Sequence, residues 1–140
     1  MHILDTDTFT HIYKQNPKAL EGLKKVESSD NVAITVVTKS EVLRGRIEFL
    51  LKASNASDLE KAQRFLYESE IFLVQWPVID FRKESLLKFE ALNSSSKLRK
   101  IGHNDLLIAS ICLTENATVV TRNTKDFERV PNLKLANWID

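Results

Sequence analysis

Residues Val32-Ala33-Ile34-Thr35-Val36-Val37 constrain this chain more than any other stretch. They are β-branched and apolar without interruption, as a strand of a parallel sheet covered on both faces must be. A parallel strand needs a crossover to reach its neighbour, and the rest of the chain has that form. His2-Ile3-Leu4 reads as a short strand, and Asp5-Thr6-Asp7-Thr8 caps a helix reaching about Gln15. Pro17 opens a second helix with Leu20, Leu23 and Val26 on one face, broken at Ser28 to Asn31. Thr38-Lys39-Ser40-Glu41 has capping-box spacing and starts a helix through Val42, Leu43, Ile47, Phe49 and Leu50. Ala53 to Ala56 is a turn. A second capping box, Ser57 to Glu60, starts a helix to about Glu70 with Leu59, Ala62, Phe65 and Leu66 inward.

Ile71 to Val74 is expected as a strand, with Pro77 making the next residues an edge or a connection. Asp80 caps a helix reaching Leu92, and Asn93 to Lys97 is a polar loop. A helix from Asn104 to about Asn116 leads into a buried strand at Thr118 to Thr121. A short turn or helix covers Asn123 to Glu128, and Leu133 to Leu135 is a last small strand. Strand alternating with helix predicts an α/β sandwich: a mostly parallel central sheet flanked by helices, in one domain over residues 1–140.

The bulk numbers narrow the function. Net charge is +1 over 140 residues, so no global field draws the protein to nucleic acid or membrane. The single cysteine, Cys112, has apolar helical neighbours and is expected in the core. Asp5 interrupts the N-terminal apolar residues before a signal sequence develops, and the longest apolar run, Ile71 to Ile79, is too short to span a bilayer. A soluble cytoplasmic protein with no membrane contact is the expectation. Phe65, Phe72, Phe81 and Phe89 fall in core patterns, which argues against a stacking platform for bases.

Ligands of open α/β sheets bind outside the carboxyl ends of the strands. Asp5 follows the first strand, Glu41 opens the helix after the second, and Asp126 follows the Thr118–Thr121 strand. Asp105 starts the helix that leads into that same strand. A parallel topology therefore gathers four carboxylates from distant parts of the chain. Two carboxylates about 5 Å apart repel by roughly 3 kcal/mol at an effective dielectric near 20. Three or four together require a cation to stay ionised. Oxygen ligands without a Cys/His cluster favour magnesium or manganese, and such an ion suits phosphodiester hydrolysis. Each acid also has a plainer role. Asp105 suits a helix N-terminus, Glu41 the third position of its capping box, Asp126 the surface, and Asp7 a helix cap.

Five segments resemble the PIN-domain nucleases, and within them the VapC-type toxins of bacterial toxin–antitoxin pairs. They are Ile3 to Thr8, Ser40 to Arg46, Ile101 to Ala109, Val120 to Phe127 and Val130 to Trp138. The resemblance implies a PIN-like three-layer sandwich and a metal-dependent ribonuclease. Asp5 and Asp105 are then the main Mg2+ or Mn2+ ligands, with Glu41 completing the acidic site. It further implies a homodimer and a small cognate antitoxin protein that fills the groove. Two positions depart from the pattern. Asn123 stands where many relatives carry an acid, so the fourth acidic role is either weakened there or passed to Asp126, and Asp7 stands where asparagine is common. Thr121 is a candidate for ordering a water. Arg44, Arg46 and Arg122 are candidates for the RNA backbone, since guanidinium forks suit phosphate; Lys97, Arg99 and Lys100 precede Asp105 as further ones, Lys97 being better read as solvated surface. His103 lies in a loop, and metal chemistry needs no histidine base. Two alternatives stay open: an RNA-processing nuclease outside any toxin system, and an interaction module without chemistry.

Overall fold

A computed structural model describes residues 1–140. The element order is β1 (His2–Leu4), α1 (Thr6–Tyr13), α2 (Pro17–Glu27), β2 (Val32–Thr35), α3 (Val36–Lys52), α4 (Ala56–Leu73), β3 (Val78–Ile79), α5 (Lys83–Asn93), α6 (His103–Thr114), β4 (Thr118–Val120), α7 (Thr124–Phe127) and β5 (Lys134–Ala136). The five strands form one sheet in the order β3-β2-β1-β4-β5. Every pairing is parallel, with Ile3 opposite both Ala33 and Val119.

Both faces of the sheet are covered, so alternate residues of each strand enter different cores. Ile3, Ala33 and Val119 join Ile108, Cys112 and Phe127 in one cluster. Their neighbours Leu4, Ile34 and Val120 join Phe9, Ile12 and Leu73 in the other. This is why the strands read as continuous apolar runs. Cys112 is fully buried in the first core, and burial pushes its thiol far up, away from reactivity.

Several boundaries differ from expectation, each for a local reason. β2 stops at Thr35, whose hydroxyl accepts from the Thr38 N–H and caps α3, so Val36 and Val37 are helical. Glu41 therefore lies in the second turn of α3 and is not the closing residue of a capping box. Likewise Asn55, not Ser57, caps α4 by accepting from the Asp58 N–H. Ile71 to Leu73 end α4 instead of forming a strand. The strand comes after Pro77, at Val78–Ile79, and Ile34 N–H bonds Pro77 O at 3.0 Å. Arg82, not Asp80, is the N-cap of α5. Ser96–Leu98 form a single 3-10 turn within the polar loop.

The aromatic residues are redistributed too. Phe65, Phe72, Phe81 and Phe89 are only partly buried, whereas Phe9 and Phe127 are among the largest fully buried side chains. At the C-terminal end Trp138 lies over α2, where a Cβ on Gly22 would stand 2.5 Å from the indole. Only glycine admits the ring at that distance.

Candidate active site

Asp5 sits where β1 ends and α1 begins. Its N–H donates to Val120 O at 3.0 Å, which locks it to the end of β4. Its Oδ1 accepts from Thr8 N–H at 2.8 Å, capping α1, and it is only 5% exposed. Burial holds this carboxyl above the usual carboxylate range, despite hydrogen bonds from the Thr121 side chain and from Thr8 that pull the other way. Asp5 is thus both a cap and a desolvated acid.

Asp105 lies in the first turn of α6, two residues after its first residue, His103. Burial is again the largest cause that raises its carboxyl, opposed by the bond from Asn123. The charges of Asp5, Glu41 and Asp126 raise it further. All four acids are therefore close enough to act electrostatically on one point, at the carboxyl edge of β1 and β4.

The polar neighbours divide these acids into two sets. Thr6 Oγ1 donates to Glu41 Oε1 at 2.6 Å and lies 3.0 Å from Thr38 Oγ1. Asn104 Nδ2 donates to Glu41 Oε2 at 3.0 Å. On the other side Asn123 Nδ2 donates to Asp105 Oδ2 at 3.2 Å and to Asp126 Oδ2 at 3.0 Å. Thr121 Oγ1 accepts from Asn123 N–H at 2.9 Å, fixing the loop that carries this amide. Thr6, Thr38 and Asn104 are members of the site that no sequence pattern marks as such. The one available signal is adjacency, since Thr6 follows Asp5 and Asn104 precedes Asp105.

Of the basic candidates, Arg44 shares a groove with Val36, Glu41, Phe81, Asn104 and Leu107 and makes no ion pair or hydrogen bond. Arg46 points elsewhere. Its Nε donates to Ser69 Oγ at 3.0 Å, and its guanidinium lies over the Tyr13 and Phe65 rings. Arg122 pairs with Asp140 at 3.3 Å. Asp7 is exposed and faces His11, one turn along α1. The His103 ring stands edge-on to Phe89, 5.8 Å between centroids.

The donor set suits a hard divalent cation: carboxylate oxygens at one edge, one of them deeply buried, with no sulfur or imidazole among them. The Asn123 amide, its hydrogens between Asp105 and Asp126, lies where positive charge relieves the repulsion. No three acids already form a closed cage. Magnesium does not require one, since it commonly keeps several waters and binds through one or two carboxylates.

A five-stranded parallel sheet with helices on both faces and acids gathered at its carboxyl edge defines a three-layer α/β protein with an anionic sheet edge. The chain belongs to the PIN-domain family, whose model matches residues 2–133. It is 32% identical to a protein of Rickettsia felis named ribonuclease VapC2, over 99% of this chain and 98% of that one. It is 26% identical to ribonuclease VapC1 of Haemophilus influenzae over the same shares. The solved VapBC2 complex of Rickettsia felis, bound to a DNA fragment from its promoter, aligns with a TM-score of 0.77 over 98% of both chains. The VapBC-1 structure from Haemophilus influenzae gives the same TM-score at 23% identity, a likeness of fold.

Proposed function

We propose that this protein is a Mg2+- or Mn2+-dependent endoribonuclease, acting in the cytoplasm as the toxin of a toxin–antitoxin pair. The observation that carries the proposal is the raised carboxyl of Asp105, which feels the charges of the buried Asp5, of Glu41 and of Asp126, an arrangement that costs stability unless a cation offsets it. The relatives named ribonuclease VapC support RNA as substrate. A more distant relative in Salmonella typhimurium, 22% identical, is named a tRNA(fMet)-specific endonuclease, which makes structured RNA the first substrate to try.

Asp5 and Asp105 hold the ion, with Glu41 and Asp126 completing the negative pocket. The ion, when bound, supplies an activated water and offsets charge on the scissile phosphate. Thr121 orients Asp5 through its hydroxyl, and Asn123 keeps Asp105 and Asp126 from diverging. Arg44 is the guanidinium best placed to meet a backbone phosphate near Glu41. Arg46 is engaged with Ser69, and Arg122 reaches a phosphate only after leaving Asp140. The partner assignment rests on relatives solved as VapBC complexes and on apolar side chains exposed along α3 and α4. A small antitoxin and a second copy of the chain are the proposed occupants of such surfaces.

The test is cleavage of structured RNA by the purified chain with Mn2+ or Mg2+, against chelator and against Asp5→Asn. The expected result is cutting that requires the ion and disappears in the variant. Cutting that survives either change rejects the assignment. Failure of the wild-type chain to bind Mn2+ in calorimetry favours the interaction module without chemistry.

A further inference from the structure

We propose that Thr6 and Asn104 are positioning residues that clamp Glu41 from both sides and so set the geometry of the acidic pocket. The proposal rests on the metal-dependent function proposed for this site and deepens it by assigning how the third acid is held.

Each oxygen of the Glu41 carboxylate has its own donor. Oε1 accepts from Thr6 Oγ1 at 2.6 Å and Oε2 from Asn104 Nδ2 at 3.0 Å. The shorter distance is that of a hydroxyl bonded to an ionised carboxylate. Proton accounting fixes the direction of the chain behind it. A threonine hydroxyl has one hydrogen, and Thr6 directs its own at Glu41. The 3.0 Å contact between Thr6 Oγ1 and Thr38 Oγ1 is then a bond in which Thr38 donates. Thr38 is fully buried, and its N–H is held by Thr35 Oγ1 at 3.2 Å. The relay runs from the buried Thr38 hydroxyl, through Thr6, to Glu41, the acid one helical turn beyond Thr38.

The placement in sequence gives this clamp its meaning. Thr6 is the residue after Asp5, and Asn104 is the residue before Asp105. Each main acid is therefore bonded in sequence to one jaw of the clamp, and both jaws close on a residue from a third segment. Glu41 projects from a partly exposed helix face and has three side-chain torsions to fix. Without the two donors it is free to swing into the adjoining groove. With them, its distance from Asp5 and Asp105 is set by the backbone of α1 and α6. Loss of an outer hydrogen-bond partner of a metal-site carboxylate typically costs about 10–100-fold in metal affinity.

A double-mutant cycle separates a clamp from a merely structural threonine. Mn2+ affinity is measured by calorimetry for wild type, Thr6→Val, Glu41→Gln and the double variant, with Asn104→Ala treated alike. Thermal melts confirm that each folds. Thr6→Val is expected to weaken Mn2+ binding about 10-fold, and Thr6→Ser to restore it to within about twofold. In the Glu41→Gln background Thr6→Val should have little further effect. An equal loss in both backgrounds, or no loss in wild type, overturns the proposal. A metal-free readout keeps the two proposals apart. The Asn104 side-chain amide resonances report its bond to Glu41 and are expected to shift in both Thr6→Val and Glu41→Ala. If the wild type binds no Mn2+, the metal-dependent function fails and this NMR comparison alone decides the clamp. Unmoved Asn104 resonances in Thr6→Val reject it.

Discussion

The carboxyl edge of the sheet and the α3–α4 hairpin place their residues against opposite preferences. At the edge, charge is buried: Asp5 is 5% exposed and its carboxyl is raised by desolvation. On the hairpin, apolar surface is left in water, with Leu51 78% exposed and Val74 82% exposed. Neither arrangement serves the stability of the isolated chain, because buried charge and exposed hydrocarbon both cost free energy. The two differ in what would relieve them. A small cation would relieve the edge, and another apolar surface would relieve the hairpin.

The sharpest break of this comparison is chemical. Asp105→Asn keeps shape and hydrogen-bonding capacity while removing one charge. RNA cleavage should fall by more than the roughly 100-fold upper range for loss of an outer partner; gel assays at fixed Mn2+ check it. Next comes a change distant from both regions. Gly22→Ala drives a methyl into the Trp138 indole and should lower stability by about 1–3 kcal/mol in denaturant melts. Cleavage per folded molecule should be retained.

The edge also predicts a dependence on pH. The folded-state pKa of Asp5 and of Asp105 is raised above the unfolded value, so between the two values the folded state binds more protons than the unfolded. Stability of the metal-free chain therefore falls as pH rises through that window, from the ordinary aspartate value upward. Melting temperature between pH 4 and 7 should drop in the wild type and drop less in Asp5→Asn, which retains an oxygen to cap α1. Saturating Mg2+ should flatten the wild-type curve. The smallest effect belongs to the hairpin. Leu51→Lys should change monomer stability by less than about 0.5 kcal/mol, since the side chain already faces water. A larger loss that depends on protein concentration would show that a second copy covers it.

The same contrast explains what the sequence made legible. The parallel α/β architecture could be read because β1, β2 and β4 are covered on both faces, leaving a signal that short amphipathic strands do not carry. The four acids could be read because parallel topology alone brings strand ends together. What escaped detection depends on side chains that bond across the fold. Thr35 ends β2 by capping α3, a choice that a run of β-branched residues conceals. Ile71 to Leu73 form an apolar run too short for periodicity to separate strand from helix end, and they continue α4. Asn123 looked like a missing acid, yet its amide spans Asp105 and Asp126. Arg46 looked like Arg44, its neighbour by two positions, but turns toward Ser69 and the aromatic rings.

The central strand has one more consequence, for the order in which the protein comes into being on the ribosome. β1 is synthesised first, but its partner β4 begins at Thr118, and Asp5 N–H is anchored on Val120 O. Pairing across so much chain is slow and closes late. A nascent chain that has emerged only as far as α5 has Asp5 and Glu41 but neither Asp105 nor the strand that seats Asp5. The acidic cluster thus assembles only when β4 and α7, which carries Asp126, are free of the exit tunnel. Synthesis itself withholds the complete site until the segment through Asp126 has emerged.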